Sequence, residues 1–295
     1  TTVENPSPEQ LVDGLVSLLT VTPDGEDRFT GKRSGTGRGR LFGGEVIAQA
    51  LAAASRTVAE GRIAHSLHAY FLRGGSEDHD SVCHVERDFD GGSFSNRRVI
   101  VLQDGRPILN LAASFHKREE GVEHQDAMPV VPPPEGLPTE AELRREAAKN
   151  MPEEVRYHML RPRPIEFRGV EPRHWSSPAP SEPRTHSWFR TVSPLPDDRD
   201  VHRAILAYAS DMTLLGTCAL PHGLSWMTGE LVSASLDHAI WFHDNDFRCD
   251  EWLLYATDSP WAAHARGFNR GRIFTRDGRL IASVAQEGLI RKVKI

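Results

Sequence analysis

Cysteine is scarce in this sequence, with only Cys83, Cys218 and Cys249 in a chain of 295 residues. An odd number of widely spaced cysteines argues against a disulfide framework and against a zinc site built from cysteine pairs. The first residues show no signal-peptide pattern. Together these features lead us to expect a protein of the reducing cytoplasm.

Basic residues are fewer than acidic ones, and long apolar runs are also lacking. The chain has 35 lysines and arginines against 41 acidic residues, which gives a formal charge of −6. Nonspecific nucleic-acid binding requires the opposite balance. No uninterrupted apolar run approaches the roughly 20 residues of a membrane span. We therefore expect a globular protein whose partners include neither nucleic acid nor a membrane that it spans.

Several signatures of catalysis or metal binding are missing as well. The Gly-x-Ser-x-Gly elbow of serine hydrolases does not occur. The glycine-rich segment 34–44 lacks both the P-loop lysine and the dinucleotide spacing, so we interpret it as a loop that enters a helix. The pairs His65 with His68 and His238 with His243 lack the HExxH arrangement, and structural roles are favoured over metal ligation. The sequence therefore predicts no bound metal.

One pattern is present twice. The hairpin sequence RVIVLQDGRPILNLAASF, residues 98–115, resembles RIFTRDGRLIASVAQEG, residues 272–288, and pairing the aspartates gives an offset of 277 − 104 = 173. A second match, HSLHAYFLRGG against ASLDHAIWFHD, pairs two histidines at an offset of 238 − 68 = 170. Two matches in the same order indicate a unit of about 120 residues that was duplicated.

Each unit combines one helix with a run of strands. An alanine-rich helix is predicted over 45–58, and segments typical of antiparallel strands follow it. This pattern predicts an α+β fold in which a sheet curls around the helix. The second unit repeats the order, with a helix predicted over 203–220. We predict an N-terminal domain over 1–127, a proline-rich and helical linker over 128–164, and a C-terminal domain over 165–295.

Short helices are predicted before the first unit and within the linker. Ser7 is placed to cap a helix over 9–19. Thr139, with Glu142 three residues later, forms the capping-box pattern of a second helix.

Two polar residues occupy positions where apolar ones are expected. Gln286 falls on the more apolar face of the last strand, where the first copy has Ala113. A buried glutamine can be a core amide satisfied by backbone groups, but its absence from the other copy favours a chemical role. Asp211 stands among apolar residues of the second helix and either faces solvent or needs hydrogen-bond donors.

A set of motifs along nearly the whole chain resembles the acyl-CoA thioesterase II family. They are FGGEVIAQAL, HSLHAYFLRGG, DGGSFSNRRV, HQDAMP, YASDMTLL, SLDHAIWFHD, DEWLLYATDSP, ARGFNRGRIF and VAQEG. The resemblance implies a double hotdog fold, with two curled antiparallel sheets each wrapped around a central helix. It also implies hydrolysis of fatty acyl-CoA to free fatty acid and CoA without a metal or cofactor.

The resemblance further implies which residues hold the attacking water. They are Asp211 of the YASD motif, Ser235 just ahead of the LDHAIWFH motif, and Gln286 of VAQEG. Relatives often have threonine at the second position, and serine keeps the hydroxyl group.

Further site residues are predicted from position and chemistry. Backbone N–H groups of Gly43 and Gly44, at the start of the first helix, are candidate oxyanion donors. Acyl-pocket candidates are Phe42, Phe71, Met212 and Trp241, and candidates for contact with CoA phosphates are Arg97, Arg98, Arg266 and Arg270.

The sequence departs from the family pattern at Glu45, where glutamine is usual. Glu45 could act as a second catalytic acid, but the first unit has Ala113 in place of Gln286 and His65 near the place of Ser235. A carboxylate stabilised by the dipole at a helix N-terminus is therefore favoured.

Two other functions remain open. A hotdog enoyl-CoA hydratase would need an Asp-His pair on the helix, and the helix here offers Asp211 with no nearby histidine. A catalytically silent acyl-CoA binding or regulatory protein would not need the combination of Asp211, Ser235 and Gln286. Exposed sheet edges lead us to expect a homo-oligomer.

Overall fold

A computed structural model describes residues 5–35, 39–149, 151, 153–171 and 178–293. The α-helices in these residues are α1 Pro8–Leu19, α2 Gly43–Ser55, α3 Glu140–Ala148, α4 Glu153–Leu160 and α5 Arg199–Ser210. Shorter 3-10 helices span Pro134–Gly136, Leu214–His222 and Trp226–Thr228. The strands are β1 Val21–Pro23, β2 Arg28–Gly31, β3 Arg62–Phe71, β4 Ser81–Asp90, β5 Phe94–Gln103, β6 Arg106–Lys117, β7 Ile165–Gly169, β8 Arg184–Thr191, β9 Leu231–Ser235, β10 Asp237–Phe242, β11 Leu253–Ala263, β12 Arg266–Thr275 and β13 Leu280–Lys292.

All of these strands belong to one antiparallel sheet. Its order is β1-β2-β4-β5-β6-β3-β10-β13-β12-β11-β8-β7, and β9 pairs with β13 beside this path. If the end strands β1 and β7 are left out, the strands of the two halves follow equivalent orders from the outer edge to the centre of the sheet. The order is β2-β4-β5-β6-β3 in the first half and β8-β11-β12-β13-β10 in the second. A large antiparallel sheet with few helices confirms the α+β part of the expected fold.

The two halves of the sheet meet where β3 pairs with β10. Leu67 lies opposite Ile240 at this junction, and both side chains are fully buried. Because the backbone hydrogen bonds continue across it, the halves share one sheet, and side chains from both can face a common site.

Helix α2 packs against strands β3 to β6 and also against α5. Ala48, Ala50, Ala53 and Ala54 are fully buried along α2. Their small side chains allow neighbours to approach the helix on several sides. The N-terminal end of α2 is thereby brought to the C-terminal end of α5.

The predicted second helix is shorter than its apolar pattern suggests. Instead of one helix over 203–220, α5 ends at Ser210, Asp211 is its C-cap, and a 3-10 helix begins at Leu214. The break was not detectable from periodicity, since the 3-10 segment keeps Leu214, Cys218 and other apolar side chains buried. Asp211 therefore stands at the end of a helix and not within one.

Helix α5 and the 3-10 helix after it together form a candidate membrane span. Arg199–His222 is long and apolar enough on average to cross a membrane, and 56% of its most apolar window is buried within the protein. This is weak support for a span, because core helices pass the same test. Here the stretch is divided between α5 and the 3-10 helix that follows it.

Two predicted capping motifs are confirmed. Ser7 caps α1, and Thr139 caps α3 in a reciprocal capping box with Glu142. These local hydrogen bonds explain why both helices begin where the sequence predicts.

The hairpin between β5 and β6 has a two-residue turn. Asp104 and Gly105 have φ angles of 49° and 72°, and the flanking Gln103 and Arg106 pair with each other. Positive φ at both central residues is the type I′ turn that matches strand twist. The corresponding turn in the second half is longer, and there Gly278 alone has positive φ, at 96°.

We predict that Gly105→Ala lowers the free energy of unfolding by about 1–2 kcal/mol, because an L residue is strained in the left-handed region. Urea denaturation provides the measurement. Gly92→Ala is the matched control, since Gly92 lacks this conformation and has open space around it. Equal unfolding midpoints for the two variants would contradict the assignment of the turn.

Candidate active site

A cavity of about 650 Å³ opens between the start of α2 and the end of α5. Asp211 lies in its wall with only 4% of its side chain exposed. Phe42, Phe71 and Met212 supply apolar surface around it. A nearly buried carboxylate in an otherwise largely apolar cavity marks this as the candidate active site.

The N-terminus of α2 contacts the carboxylate directly. The backbone N–H of Gly44 donates a hydrogen bond to Asp211. A Cβ at Gly43 would lie 2.5 Å from Asp211 Oδ2, and a Cβ at Gly44 would lie 2.5 Å from the carbonyl oxygen of Tyr208. Both glycines are therefore required by close approach, and the positive end of the helix dipole faces the carboxylate.

Gln286 supplies the second contact. Its side-chain Nε2 donates to Asp211 Oδ1 at 2.7 Å and to His238 Nδ1 at 2.9 Å. An amide nitrogen carries two hydrogens, so both are used. The structure thus brings together Asp211 and Gln286, which are 75 residues apart in the chain.

His238 is a site residue that sequence reasoning missed. Its Nδ1 lies 3.7 Å from Asp211 Oδ1, although the second helix itself offers no histidine beside Asp211. The histidine comes from strand β10 and not from the helix. Period-two alternation on β10 offered a signal, since His238, Ile240 and Phe242 all face the core.

The hydrogen bonds determine the tautomer of His238. Because Nδ1 accepts from Gln286, Nε2 carries the proton and donates to Ser210 Oγ at 2.9 Å. Ser210 Oγ in turn donates to the carbonyl oxygen of Ala207 at 2.8 Å. Complete burial lowers the pKa of His238 to about 3, so the ring is neutral at ordinary pH.

The pKa of Asp211 is shifted in the opposite direction. Burial raises it to about 6, while the hydrogen bonds from Gln286 and Gly44 lower it and limit the shift. Both protonation states are therefore accessible near neutral pH.

Ser235 lies in the wall of the same cavity. It ends β9 and pairs with Gly288 of β13, two residues beyond Gln286. The structure thus places Asp211 and Ser235 in the wall of one cavity, and Gln286 is fully buried behind that wall in direct contact with Asp211.

The other predicted residues separate into two groups. Phe42, Phe71 and Met212 line the cavity, as expected of an acyl pocket. Trp241 is not among the lining residues and packs edge-on against His68 at the junction of β3 and β10. Gly44 is also reassigned, because its N–H is engaged by Asp211 and is not free for an oxyanion.

The predicted phosphate contacts need a similar correction. Arg97 is 1% exposed and is held by Asp90 at 2.8 Å, so its guanidinium cannot reach a ligand. None of the other three predicted arginines, Arg98, Arg266 and Arg270, lines this cavity. Alternation along β5 places Arg97 on the inward face, a signal that was overlooked.

Glu45 is buried on α2, with 3% of its surface exposed. Burial raises its pKa to about 7, against the lowering effect of a hydrogen bond with Ser34, and nearby Glu77 raises it further. Glu45 is not among the residues that line the cavity of Asp211, so it stands apart from the candidate site.

Comparisons with known proteins agree on one family. The profile of a family described as acyl-CoA thioesterase matches residues 177–289, and one described as acyl-CoA thioesterase N-terminal domain matches residues 32–116. Acyl-coenzyme A thioesterase 8 of Homo sapiens is 38% identical, over 94% of this chain and 88% of its own length. Acyl-CoA thioesterase 2 of Haemophilus influenzae is 36% identical, over 95% of this chain and 98% of its own length.

Solved structures of other proteins are also similar to this chain. The acyl-CoA thioesterase II TesB2 from Mycobacterium marinum superposes with a TM-score of 0.77 at 40% identity, covering 94% of this chain and 98% of that one. A hot dog fold protein from Alicyclobacillus acidocaldarius has a TM-score of 0.74 at 20% identity, over 94% of this chain and 98% of that one. The latter shows the fold alone.

The pKa of Asp211 predicts a pH-dependent stability. Since the folded pKa of about 6 lies above the ordinary 3.8, the protonated carboxyl is favoured on folding, and its contribution is lost as pH rises. We expect the free energy of unfolding of wild type to fall by about 2 kcal/mol relative to Asp211→Asn between about pH 4 and about pH 7. Urea denaturation of both proteins across this range is the measurement, and a pH-independent difference would contradict it.

Proposed function

Because this chain belongs to the acyl-CoA thioesterase II family, we propose that it hydrolyses fatty acyl-CoA thioesters to free fatty acid and CoA. The observation that carries the proposal is the carboxylate of Asp211, buried in a cavity wall and held there by Gly44 and Gln286. Its pKa of about 6 suits a general base near neutral pH.

In the proposed reaction, Asp211 takes a proton from a water molecule as the water oxygen attacks the thioester carbonyl carbon. The tetrahedral intermediate then collapses, the carbon–sulfur bond breaks, and the proton held by Asp211 passes to the leaving thiolate. Ser235 and Gln286 orient the water and the carboxylate. The products are a carboxylic acid and a thiol, and no covalent enzyme intermediate is required.

The role of His238 follows from its environment. The ring is fully buried, neutral, and hydrogen-bonded through both nitrogens to Gln286 and Ser210. It therefore acts as a positioning residue that holds the amide of Gln286 against Asp211, and it does not exchange protons with the substrate.

We also propose the double hotdog arrangement implied by the sequence. Its support is the identical inward strand order of the two halves and the packing of α2 on β3 to β6. The boundaries at 127 and 164 are part of this proposal, with the linker running between β6 and β7.

A hotdog hydratase is the alternative that one observation favours, namely the proximity of His238 to Asp211. Hydration of an enoyl-CoA would need a ring nitrogen that can exchange a proton with substrate. Both nitrogens of His238 are engaged within the protein, and burial holds its pKa at about 3. Thioester hydrolysis is therefore the better account.

A silent acyl-CoA binder would have no need of the costly burial of the Asp211 carboxylate.

Cytoplasmic location and self-association remain proposals. Cys83, Cys218 and Cys249 are unpaired and buried, which is compatible with a reducing compartment. The sheet ends in the strands β1 and β7, whose outer edges could pair with another copy.

The direct test is release of free thiol from fatty acyl-CoA substrates of different chain length. We expect Asp211→Asn to lower kcat/KM by about 10²- to 10⁴-fold, because it removes the general base. Gln286→Ala should lower it by about 10- to 100-fold through loss of a hydrogen bond to a charged group. Asp13→Asn, an exposed change outside the cavity, is the control. Wild-type turnover in a folded Asp211→Asn protein would refute the mechanism.

The pH profile tests the same base independently. We expect kcat/KM of wild type to fall about tenfold per unit below the pKa of Asp211, which is about 6. Since the hydrogen bond from Gln286 lowers that pKa, Gln286→Leu should move the acid limb to higher pH. An acid limb in the same position for both proteins would argue that another group titrates.

A further inference from the structure

Two basic side chains stand at the rim of the cavity that contains Asp211. Arg40 and Arg73 are exposed and line this cavity. Asp211 is the acidic residue among its described lining residues, and it is almost completely buried. The opening of the cavity is therefore positive, although the chain as a whole carries a formal charge of −6.

The backbone brings the two arginines to the same rim. Arg73 lies just beyond β3, and the N–H of Leu41 donates to the carbonyl of Gly75 at 2.9 Å, which joins their two segments. The guanidinium of Arg40 lies beside Gly74, the residue after Arg73, since a Cβ there would be 3.7 Å from Nη2. The two arginines therefore belong to adjoining segments at the same rim.

The charges of this pair are not neutralised within the described part of the chain. Some exposed arginines elsewhere have carboxylate partners, for example Arg98 with Asp88 at 3.2 Å and Arg270 with Asp258 at 2.7 Å. Arg40 and Arg73 form no such ion pair among the described residues. Two neighbouring cations without counter-ions at a cavity entrance attract an anionic ligand.

We propose that Arg40 and Arg73 bind the phosphate groups of the CoA moiety. This inference rests on the proposed function. A guanidinium matches phosphate oxygens in a bidentate geometry, and CoA combines phosphates with an acyl thioester at the far end of one elongated molecule.

The spacing along the chain suits such a ligand. Arg40 precedes Gly44, whose N–H holds Asp211, by 44 − 40 = 4 residues. Four residues span at most about 14 Å. Arg40, Arg73 and Asp211 line the same cavity, so one elongated ligand can extend from the rim to the carboxylate.

The test compares two substrates that carry the same acyl group. One is the acyl-CoA, and the other is the acyl-pantetheine thioester, which has no phosphate. For the double variant Arg40→Ala with Arg73→Ala, we expect KM for acyl-CoA to rise about 10- to 100-fold with kcat little changed. The KM for acyl-pantetheine should equal that of wild type.

Two further variants sharpen the comparison. Arg276→Ala removes an exposed arginine outside the cavity and should leave KM for both substrates unchanged. Replacing Arg40 and Arg73 with lysine keeps the charge and should restore part of the affinity for acyl-CoA. An unchanged KM for acyl-CoA in the double alanine variant, or an equal rise for both substrates, would overturn the inference.

Calorimetric titration with free CoA and with pantetheine separates this inference from the proposed function. We expect the double alanine variant to bind CoA more weakly and pantetheine as wild type does. If wild type binds CoA through these arginines but hydrolyses no acyl-CoA, the proposed function fails and the phosphate site stands. If both proteins bind CoA equally, the phosphate site fails whatever the hydrolysis assay shows.

Discussion

Burial of the Asp211 carboxylate is the constraint on which the rest of the site depends. A carboxylate removed from water is costly unless donors surround it. Here the donors come from two distant parts of the chain, the backbone of Gly44 on α2 and the amide of Gln286 on β13. The end of α5, the start of α2 and the last strand must therefore meet at one point.

That meeting explains features of the fold that would otherwise be unrelated. The pairing of β3 with β10 makes the two halves continuous, so that α2 of one half can approach α5 of the other. Gly43 and Gly44 remove the side chains that would block this approach. The hydroxyl of Tyr255 donates to the carbonyl of Ser210 at 2.7 Å and fixes the backbone just before Asp211.

The two halves share a topology but not a chemistry. The second half contributes the carboxylate, Gln286 and His238, while the first contributes the helix N-terminus and the rim arginines. At the position of Gln286 the first half has Ala113, so it cannot form the same network. The donors to Asp211 therefore come from both halves.

Features set by local interactions could be predicted from the sequence, and features set by long-range strand pairing could not. The caps at Ser7 and Thr139 are local and were predicted, as was the inward orientation of Gln286, which follows from alternation. The contact between Gln286 and His238 depends instead on the register of β10 with β13, for example Ala239 opposite Ala285. That register is set by long-range pairing, and no local pattern encodes it.

The break after Ser210 was missed for a related reason. Its cause is tertiary, because Asp211 turns toward donors on α2 and β13, whereas its own neighbours in sequence form a regular apolar pattern. Arg97 is different, since alternation along β5 already placed it inward. A buried arginine with an ion-pair partner is physically acceptable, so its charge alone does not predict exposure.

The choice of an amide as the partner of Asp211 has a chemical consequence. A charged histidine or arginine in direct contact would stabilise the carboxylate strongly and lower its pKa, which would weaken it as a base. Gln286 is neutral, and burial keeps His238 neutral behind it, so the pKa of Asp211 stays near 6. The positive charges of Arg40 and Arg73 are confined to the rim, where water screens them from the carboxylate. In the proposed mechanism, the cavity can therefore attract an anionic substrate without neutralising the carboxylate that is to act as base.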